Sequence, residues 1–164
     1  MLYHSIRAGS FLMDQQPTYR HTQPARLIWL VLAIAMIILI AAAIIAGFSV
    51  LTMIVIGGIL ILLTGWLLRS LTVSIGGGML SWWFGPGFWR KRVSLAEIED
   101  CEAVRNRWWW GFGIRYYGKG FLYNVSGLDA VEFRLASGKY FRVGTDEPEA
   151  LAAAVKASIP FDGQ

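Results

Sequence analysis

The middle of this sequence lacks charge. From Leu27 to Leu68 it contains no Asp, Glu, Lys, Arg or His, and Arg26 and Arg69 bound this stretch. A single helix of that length would extend about 63 Å, roughly twice the hydrocarbon core of a bilayer. One membrane span therefore cannot contain the whole run, whereas two antiparallel spans can.

We predict a transmembrane hairpin with spans over residues 27–46 and 48–68. Gly47 tolerates a helix-ending backbone and Ser49 can cap a new helix, so residues 46–49 supply the turn. A cleaved signal peptide is the alternative for the first span, but this span is longer than a typical signal core and a second span follows at once.

Small and uncharged residues indicate what the hairpin does. The spans contain no ionisable residue, which favours an anchor over a pore or a transport path. Small side chains let two helices approach closely in lipid. The residues predicted to form the contact between the helices are Ala42, Ala43, Ala46, Gly57, Gly58 and Gly65.

Positive charge sets the expected orientation. Cytoplasmic loops are enriched in Lys and Arg, and the predicted turn carries no charge, so both termini are predicted to be cytoplasmic. Residues 1–26 are interpreted as a polar, flexible tail, in which Met13 is an alternative start to Met1. The cations that flank the hairpin are Arg7, Arg20, Arg26, Arg69, Arg90, Lys91 and Arg92.

Cysteine and histidine are scarce. Cys101 is the one cysteine, which excludes an internal disulfide, and the histidines His4 and His21 both lie in the N-terminal tail. No histidine of residues 69–164 is therefore available to activate a nucleophile or to share a metal with Cys101. We predict no metal, no cofactor and no catalysis, although a pair of carboxylates remains an alternative route to an enzyme.

Residues 69–159 have the pattern of a small β domain. Apolar and polar residues alternate over 71–75 and over 131–135, and glycine-rich turns at 76–78 and 85–87 separate apolar segments. We predict about seven short strands, mostly antiparallel. Acidic and basic residues are mixed in this half, so the net charge of +4 does not predict nucleic-acid binding.

The domain is predicted to end on a helix. Thr145 and Asp146 can cap orphan N–H groups, and Pro148 lies in the first turn, where its missing N–H costs little. A helix over residues 146–158 would plug one open end of a strongly bent sheet, and residues 160–164 form a tail.

Four motifs, in this order, carry a family resemblance: Phe84-Gly85-Pro86-Gly87, Gly111-Phe112-Gly113-Ile114-Arg115, Tyr123-Asn124-Val125-Ser126-Gly127 and Gly144-Thr145-Asp146-Glu147-Pro148. The chain resembles uncharacterised bacterial proteins that join two N-terminal spans to a pleckstrin-homology-like domain. The resemblance implies an inner-membrane hairpin followed by a mainly antiparallel, bent barrel of about seven strands with a C-terminal capping helix. It transfers no catalytic residue and no lipid-binding motif.

Tryptophan is abundant beside basic residues in the C-terminal half. Trp82 and Trp83 are neighbours on a strand, so one of them faces the core. Three consecutive tryptophans cannot all face one core, and exposed rings favour the headgroup zone of a bilayer. The candidates for contact with a membrane surface or a partner are Trp83, Trp89, Arg90, Lys91, Arg92, Arg107, Trp108, Trp109 and Trp110.

The sequence therefore predicts a membrane-anchored, non-enzymatic binding module. Its pleckstrin-homology-like domain would present a cytoplasmic surface to a protein partner or to another copy of the chain. The alternative is a sensor of the anionic membrane surface that acts through the loops rich in Trp and Arg.

Overall fold

The computed structural model describes residues 17–46 and 51–159 of the chain, so residues 47–49 of the predicted turn, most of the N-terminal tail and the tail at 160–164 lie outside the described residues. Three helices and nine strands are present in the described part. The helices are α1 (Arg26–Ala46), α2 (Leu51–Leu67) and α3 (Pro148–Ser158). The strands are β1 (Tyr19–Pro24), β2 (Ser70–Gly76), β3 (Met79–Phe84), β4 (Phe88–Ser94), β5 (Ile98–Arg105), β6 (Gly113–Tyr116), β7 (Gly120–Asn124), β8 (Asp129–Leu135) and β9 (Tyr140–Gly144).

The strands form two sheets. The first sheet has the order β1-β2-β3-β4 and is antiparallel throughout. The second sheet has the order β5-β8-β9-β7-β6, so the β8–β9 hairpin lies between β5 and β7. The pair of β7 and β9 is parallel, and the other pairs of this sheet are antiparallel. The prediction of a mostly antiparallel β domain with a C-terminal helix is confirmed, with nine strands instead of about seven.

The prediction of a flexible N-terminal tail over residues 1–26 is wrong for its last part. Tyr19–Pro24 forms the edge strand β1, which pairs along its whole length with β2. His21 of this strand contacts the start of α3, with 2.6 Å between its Nε2 and a carboxylate oxygen of Asp146. The segment is too polar for its sequence to predict a strand. It is stabilised as a strand by backbone pairing with β2.

The helices α1 and α2 are apolar and largely uncovered by protein. Of the residues described, α1 is the one helix long and apolar enough to cross a membrane, with a mean hydropathy of 3.2 over residues 26–45. No part of that segment is buried. The helix α2 is equally apolar but has 17 residues. Most of the exposed large hydrophobic side chains of the described chain belong to these two helices.

The base of the helix pair is joined to the first sheet. The N–H of Ala25 donates to the carbonyl of Arg69 at 2.9 Å, and Ala25 is completely buried. The N–H of Gly85 donates to the carbonyl of Ser70 at 2.8 Å, which holds the β3–β4 turn against the end of α2. A Cβ at Gly85 would lie 2.5 Å from the carbonyl oxygen of Leu67, and φ at this glycine is +49°.

The core lies between the two sheets and is rich in aromatic rings. Trp82 of the first sheet stacks on Phe141 of the second at 4.9 Å between ring centroids, and Phe141 stacks on Phe133 at 4.8 Å. Leu151 and Val155 of α3 are completely buried and close one side of this core.

Candidate functional site

The contact between α1 and α2 places glycines of one helix against large side chains of the other. A Cβ at Gly65 would lie 3.0 Å from Leu32 and 3.2 Å from Trp29, and one at Gly57 would lie 3.4 Å from Leu39. Two of the predicted small residues therefore sit at the contact, opposite leucine and tryptophan rather than opposite alanine.

The other predicted packing residues differ. A Cβ at Gly58 would meet nothing within 4 Å, so no side chain of α1 lies against that side of Gly58. Ala42 is exposed and Ala43 is half-buried, while the side chain of Ala46 lies outside the described residues. The contact follows a stripe of residues eight apart on α2, Gly57 and Gly65, and Gly58 lies about 100° around the helix from Gly57.

Two tryptophans that the sequence analysis did not single out mark the base of the helix pair. Trp29 lies three residues after Arg26, and Trp66 lies three residues before Arg69. Both rings are about half exposed, at 47% and 50%. Tryptophan next to arginine at the end of an apolar helix is the arrangement found at membrane–water interfaces.

The first sheet carries positive charge only. The sequence has no Asp or Glu between Asp14 and Glu97, a range that includes the whole of this sheet. Within residues 17–46 and 51–159, His21 of β1 contacts Asp146 and Glu147, which lie outside this sheet, and no lysine or arginine of this region has an ionic partner. These cations are Arg20, Arg26, Arg69, Arg90, Lys91 and Arg92, all exposed.

The outer face of the first sheet, which points away from the core, is organised around Trp83. Trp82 is buried and Trp83 is half-buried on the opposite face, as the alternation predicts for neighbours on a strand. The guanidinium carbon of Arg90 lies 4.4 Å from the centroid of the Trp83 ring, and that of Arg20 lies 5.7 Å from it. Arg92 lies on the same face, opposite Ser81.

The β3–β4 turn brings another tryptophan to the base of the helix pair. Trp89 is 53% exposed and has a φ of +51°, next to a shift of register between β3 and β4. A positive φ is costly for a tryptophan. The turn is fixed at its other end by the close approach of Gly85 to α2, so the exposed ring is held near the ends of the helices.

The remaining candidates lie elsewhere, in a 3₁₀ turn between β5 and β6. Trp108 and Trp109 are 74% and 59% exposed, and their rings meet edge to face at 5.8 Å. The guanidinium of Arg107 lies 5.3 Å from the ring centroid of Trp109. The predicted group of Trp and Arg residues is therefore divided between the two sheets.

Trp110 belongs to a buried polar cluster that the sequence analysis missed. Arg142 donates from Nε to Glu132 at 2.6 Å and from a terminal nitrogen to the side-chain oxygen of Asn106 at 3.0 Å. Tyr117 donates to the same carboxylate oxygen at 2.8 Å. The guanidinium lies 5.1 Å from the Trp110 ring centroid and 4.6 Å from that of Tyr117.

The electrostatics of this cluster favour a fixed ion pair. Burial raises the pKa of Glu132, but hydrogen bonds from Arg142 and Tyr117 outweigh it and hold that pKa below its ordinary value. Burial and the bond to Glu132 raise the pKa of Tyr117. The carboxylate is thus kept ionised and the phenol neutral, which suits a structural role better than proton transfer near neutral pH. The connection between β5 and β6 covers this pair, since it supplies Asn106 and Trp110.

The second sheet also has an uncovered apolar end. Its inner face carries a row of aromatic residues across four strands, in which Phe133 pairs with Phe141, Phe141 with Phe121 and Phe121 with Tyr116. Phe133 and Phe141 are buried, whereas Phe121 and Tyr116 are 51% and 67% exposed. Ile114 of the edge strand β6 lies next to this row and is 36% exposed.

Other chemistry has little support among the described residues. No group of three or more His, Cys, Asp or Glu residues comes together there as a metal site would require. Cys101 is buried, its thiol faces the carbonyl of Ala152 at 3.6 Å, and burial raises its pKa, so it is a poor nucleophile. A shallow hollow of about 410 Å³ beside Trp109 and Tyr117 contains Arg115 as its charged residue.

No family model matches the chain, and no curated protein matches it either. Function therefore has to be inferred from the geometry of the two sheets and of the helix pair.

Proposed function

We propose that this chain is a two-span integral membrane protein whose β domain is a non-enzymatic binding module. The observation that carries the proposal is the pairing of β1 with β2 directly across the helix pair. Pro24 pairs with Ser70, and every residue of α1 and α2 lies between these two positions in the sequence.

The pairing constrains how the chain can meet a bilayer. Strands of one sheet lie on the same side of a membrane, so the segment between β1 and β2 crosses an even number of times. A single crossing by α1 is incompatible with this sheet. The 17 residues of α2 are at the lower end of the roughly 17–25 residues that span a hydrocarbon core. The exposed apolar surfaces of both helices favour two crossings over none.

The same pairing argues against a cleaved signal peptide. Cleavage after α1 would remove β1 together with the helix, and the first sheet would lose an edge strand that pairs over six residues. The two sheets with a helix packed at one side are also what a bent, pleckstrin-homology-like barrel requires. We propose that fold for the domain on this basis and on the resemblance of its motifs.

The orientation follows from the cations at the base. Arg26 and Arg69 are exposed at the two helix ends that join the sheet, and the first sheet adds only further positive charge. The positive-inside tendency then places the β domain and both termini in the cytoplasm of a bacterial cell.

The binding role is supported by the uncovered end of the second sheet. Tyr116, Phe121 and Ile114 continue the apolar inner face beyond the part that the first sheet covers. The strand β6 is also an edge, with one side unpaired among the described strands. A partner protein or a second copy of the chain could add a strand there and cover the rings.

Cysteine labelling tests the topology. With Cys101→Ser as background, Thr18→Cys lies just before β1, Ala157→Cys lies in α3 and Thr52→Cys lies near the start of α2. An impermeant maleimide added to intact cells should label the cysteine at 52 alone, and inverted vesicles should expose the other two. Opposite accessibility of positions 18 and 157, or a full-length chain that stays soluble without detergent, would overturn two-span anchoring.

A photo-cross-linking residue tests the binding surface. Placed at Tyr116 of the full chain in cells, it should give one discrete product, either between two differently tagged copies or with one other protein. Ala96, exposed in the 3₁₀ turn at residues 95–97, is the matched control position and should give none. Equal and diffuse cross-linking from both positions would contradict a specific surface.

A further inference from the structure

We propose that the outer face of the first sheet binds the anionic headgroups of the bilayer that α1 and α2 cross, which lays the β domain against the membrane. This inference rests on the proposed two-span anchoring and names the partner of one particular face. The face comprises Arg20, Thr22, Ser74, Ser81, Trp83, Arg90 and Arg92, and we call it the cationic face.

The positive charge of the cationic face is not balanced within the described residues. Arg20, Arg90 and Arg92 have no ionic partner among the described residues, and the sheet itself contains no carboxylate. The second sheet differs, since three of the four arginines on its strands, Arg105, Arg134 and Arg142, each have a carboxylate within 4.0 Å. A face of one sign next to a bilayer attracts the opposite sign, which in a membrane is carried by anionic lipids.

Trp83 of the cationic face lies close to the ends of the helices. Trp83 is in register with Thr72 and Thr22, two residues along the sheet from the pair of Pro24 and Ser70. At about 3.3 Å per residue this is about 7 Å, within or at the edge of the headgroup layer, which adds about 5–8 Å beyond the hydrocarbon on each side.

The part of the cationic face farthest from the helix ends can contact the headgroups only if the sheet is tilted toward the membrane. Arg20 and Arg92 share a row with Ser74 and Ser81, four residues or about 13 Å from the helix ends. They reach the headgroups if the sheet tilts with its cationic face toward the membrane. Trp89, exposed near the base, and Trp66 would enter the interfacial zone.

The side chains of the cationic face have the hydrogen-bond donors that phosphate groups require. The ring of Trp83 lies against the guanidinium groups of Arg20 and Arg90, which limits the directions in which these long side chains point. Arginine presents several N–H donors in a planar fork that matches phosphate oxygens. The hydroxyl groups of Ser74 and Ser81 lie in the row between Arg20 and Arg92 and supply further donors. The face therefore suits a layer of phosphate groups.

A fluorescent reporter on the full chain tests the proposal. In a Cys101→Ser background, Ser81→Cys carries bimane, and the protein is reconstituted in nanodiscs of phosphatidylcholine alone or mixed with phosphatidylglycerol. With phosphatidylglycerol, emission should shift to the blue and nitroxide-labelled lipid should quench it more strongly. Both effects should weaken as salt is added, because exposed charges are screened. A bimane at Ser137→Cys, on the turn between β8 and β9, should not respond.

Two sets of variants distinguish this face from general charge. Arg20→Gln, Arg90→Gln and Arg92→Gln together should abolish the response to phosphatidylglycerol. The matched control, Lys119→Gln, Lys139→Gln and Lys156→Gln, removes three exposed cations from the rest of the domain and should leave the response unchanged. An equal loss in both sets would overturn the assignment to the cationic face.

The remaining outcomes are also decisive. If inorganic phosphate produces the same shift in phosphatidylcholine discs, the face binds a free anion and the lipid assignment is wrong. If the protein co-elutes with the discs but phosphatidylglycerol has no effect, this inference fails while the anchoring stands. If the protein does not co-elute with discs at all, both proposals fail.

Discussion

Arg142 of the second sheet and Arg90 of the first sheet are held in opposite ways. The side chain of Arg142 is 12% exposed, lies against Trp110 and Tyr117 and is paired with Glu132, whereas that of Arg90 lies exposed over Trp83 without a carboxylate. Both use an aromatic ring to orient the guanidinium. The difference lies in the counter-charge, which the second sheet contains and the first sheet leaves to its surroundings.

The two arginines therefore have different roles, one in the stability of the fold and one at the surface. A buried ion pair belongs to the fold, since removing one partner leaves the other without compensation. An unpaired surface cation contributes little to folding and is available for an external anion.

Arg142→Leu should lower the free energy of unfolding by about 3–5 kcal/mol, because the buried carboxylate of Glu132 loses its cation. Unfolding of the full chain in detergent, followed by circular dichroism, measures this change. The double variant with Glu132→Leu should recover most of the loss, because no buried charge then remains. A loss below about 1 kcal/mol in the single variant would show that the pair is not part of the folding core.

Gly85→Ala should destabilise the junction between the first sheet and α2. A left-handed backbone costs an alanine roughly 1–2 kcal/mol, and the new Cβ would also overlap the carbonyl of Leu67. Gly77→Ala is the matched control, since its φ of +57° resembles the +49° of Gly85 but nothing lies within 4 Å. Unfolding in detergent should show a clearly larger loss for Gly85→Ala. Equal losses would mean that the turn does not hold the helix.

Glu132→Gln should change how stability depends on pH. The folded-state pKa of Glu132 is lowered, so its contribution is present above the ordinary value of 4.5 and is lost as pH falls through the lower folded-state pKa. The wild-type chain should therefore lose stability on acidification below that value. The variant should be less stable at neutral pH and should lose less on acidification. Parallel profiles for the two chains would contradict the assignment.

Arg92→Gln should alter the free energy of unfolding by no more than about 0.5 kcal/mol, since this exposed cation has no ionic partner among the described residues. The same unfolding measurement in detergent applies, away from any anionic lipid. A cost comparable to that of Arg142→Leu would break the comparison between the sheets, because the cationic face would then be a structural element.

Much of the fold could be predicted from local pattern. The alternation over residues 71–75 and 131–135 and the glycine turns correspond to strands and turns of the structure, and the C-terminal helix begins at Pro148. The strand β1 could not be predicted in this way, because Tyr19–Pro24 is polar and is held by its pairing with β2.

The candidate site was predicted only in part. The exposure of Trp108 and Trp109 agrees with the prediction that three consecutive tryptophans cannot all face one core. The absence of acidic residues from Asp14 to Glu97 was a signal in the sequence for the cationic face, but charge counted over residues 69–164 as a whole concealed it. The pairing of Glu132 with Arg142 depends on the register of β8 and β9, which a pattern of alternation does not fix.

The sequence by itself determined that two uncharged apolar segments precede a β-rich unit, because hydropathy and alternation are properties of neighbouring residues. Only the tertiary structure decided that the strand before α1 and the strand after α2 share one sheet, and which arginines are paired. Strand pairing and burial join residues far apart in the chain, and those distant contacts determine the environment of each charge.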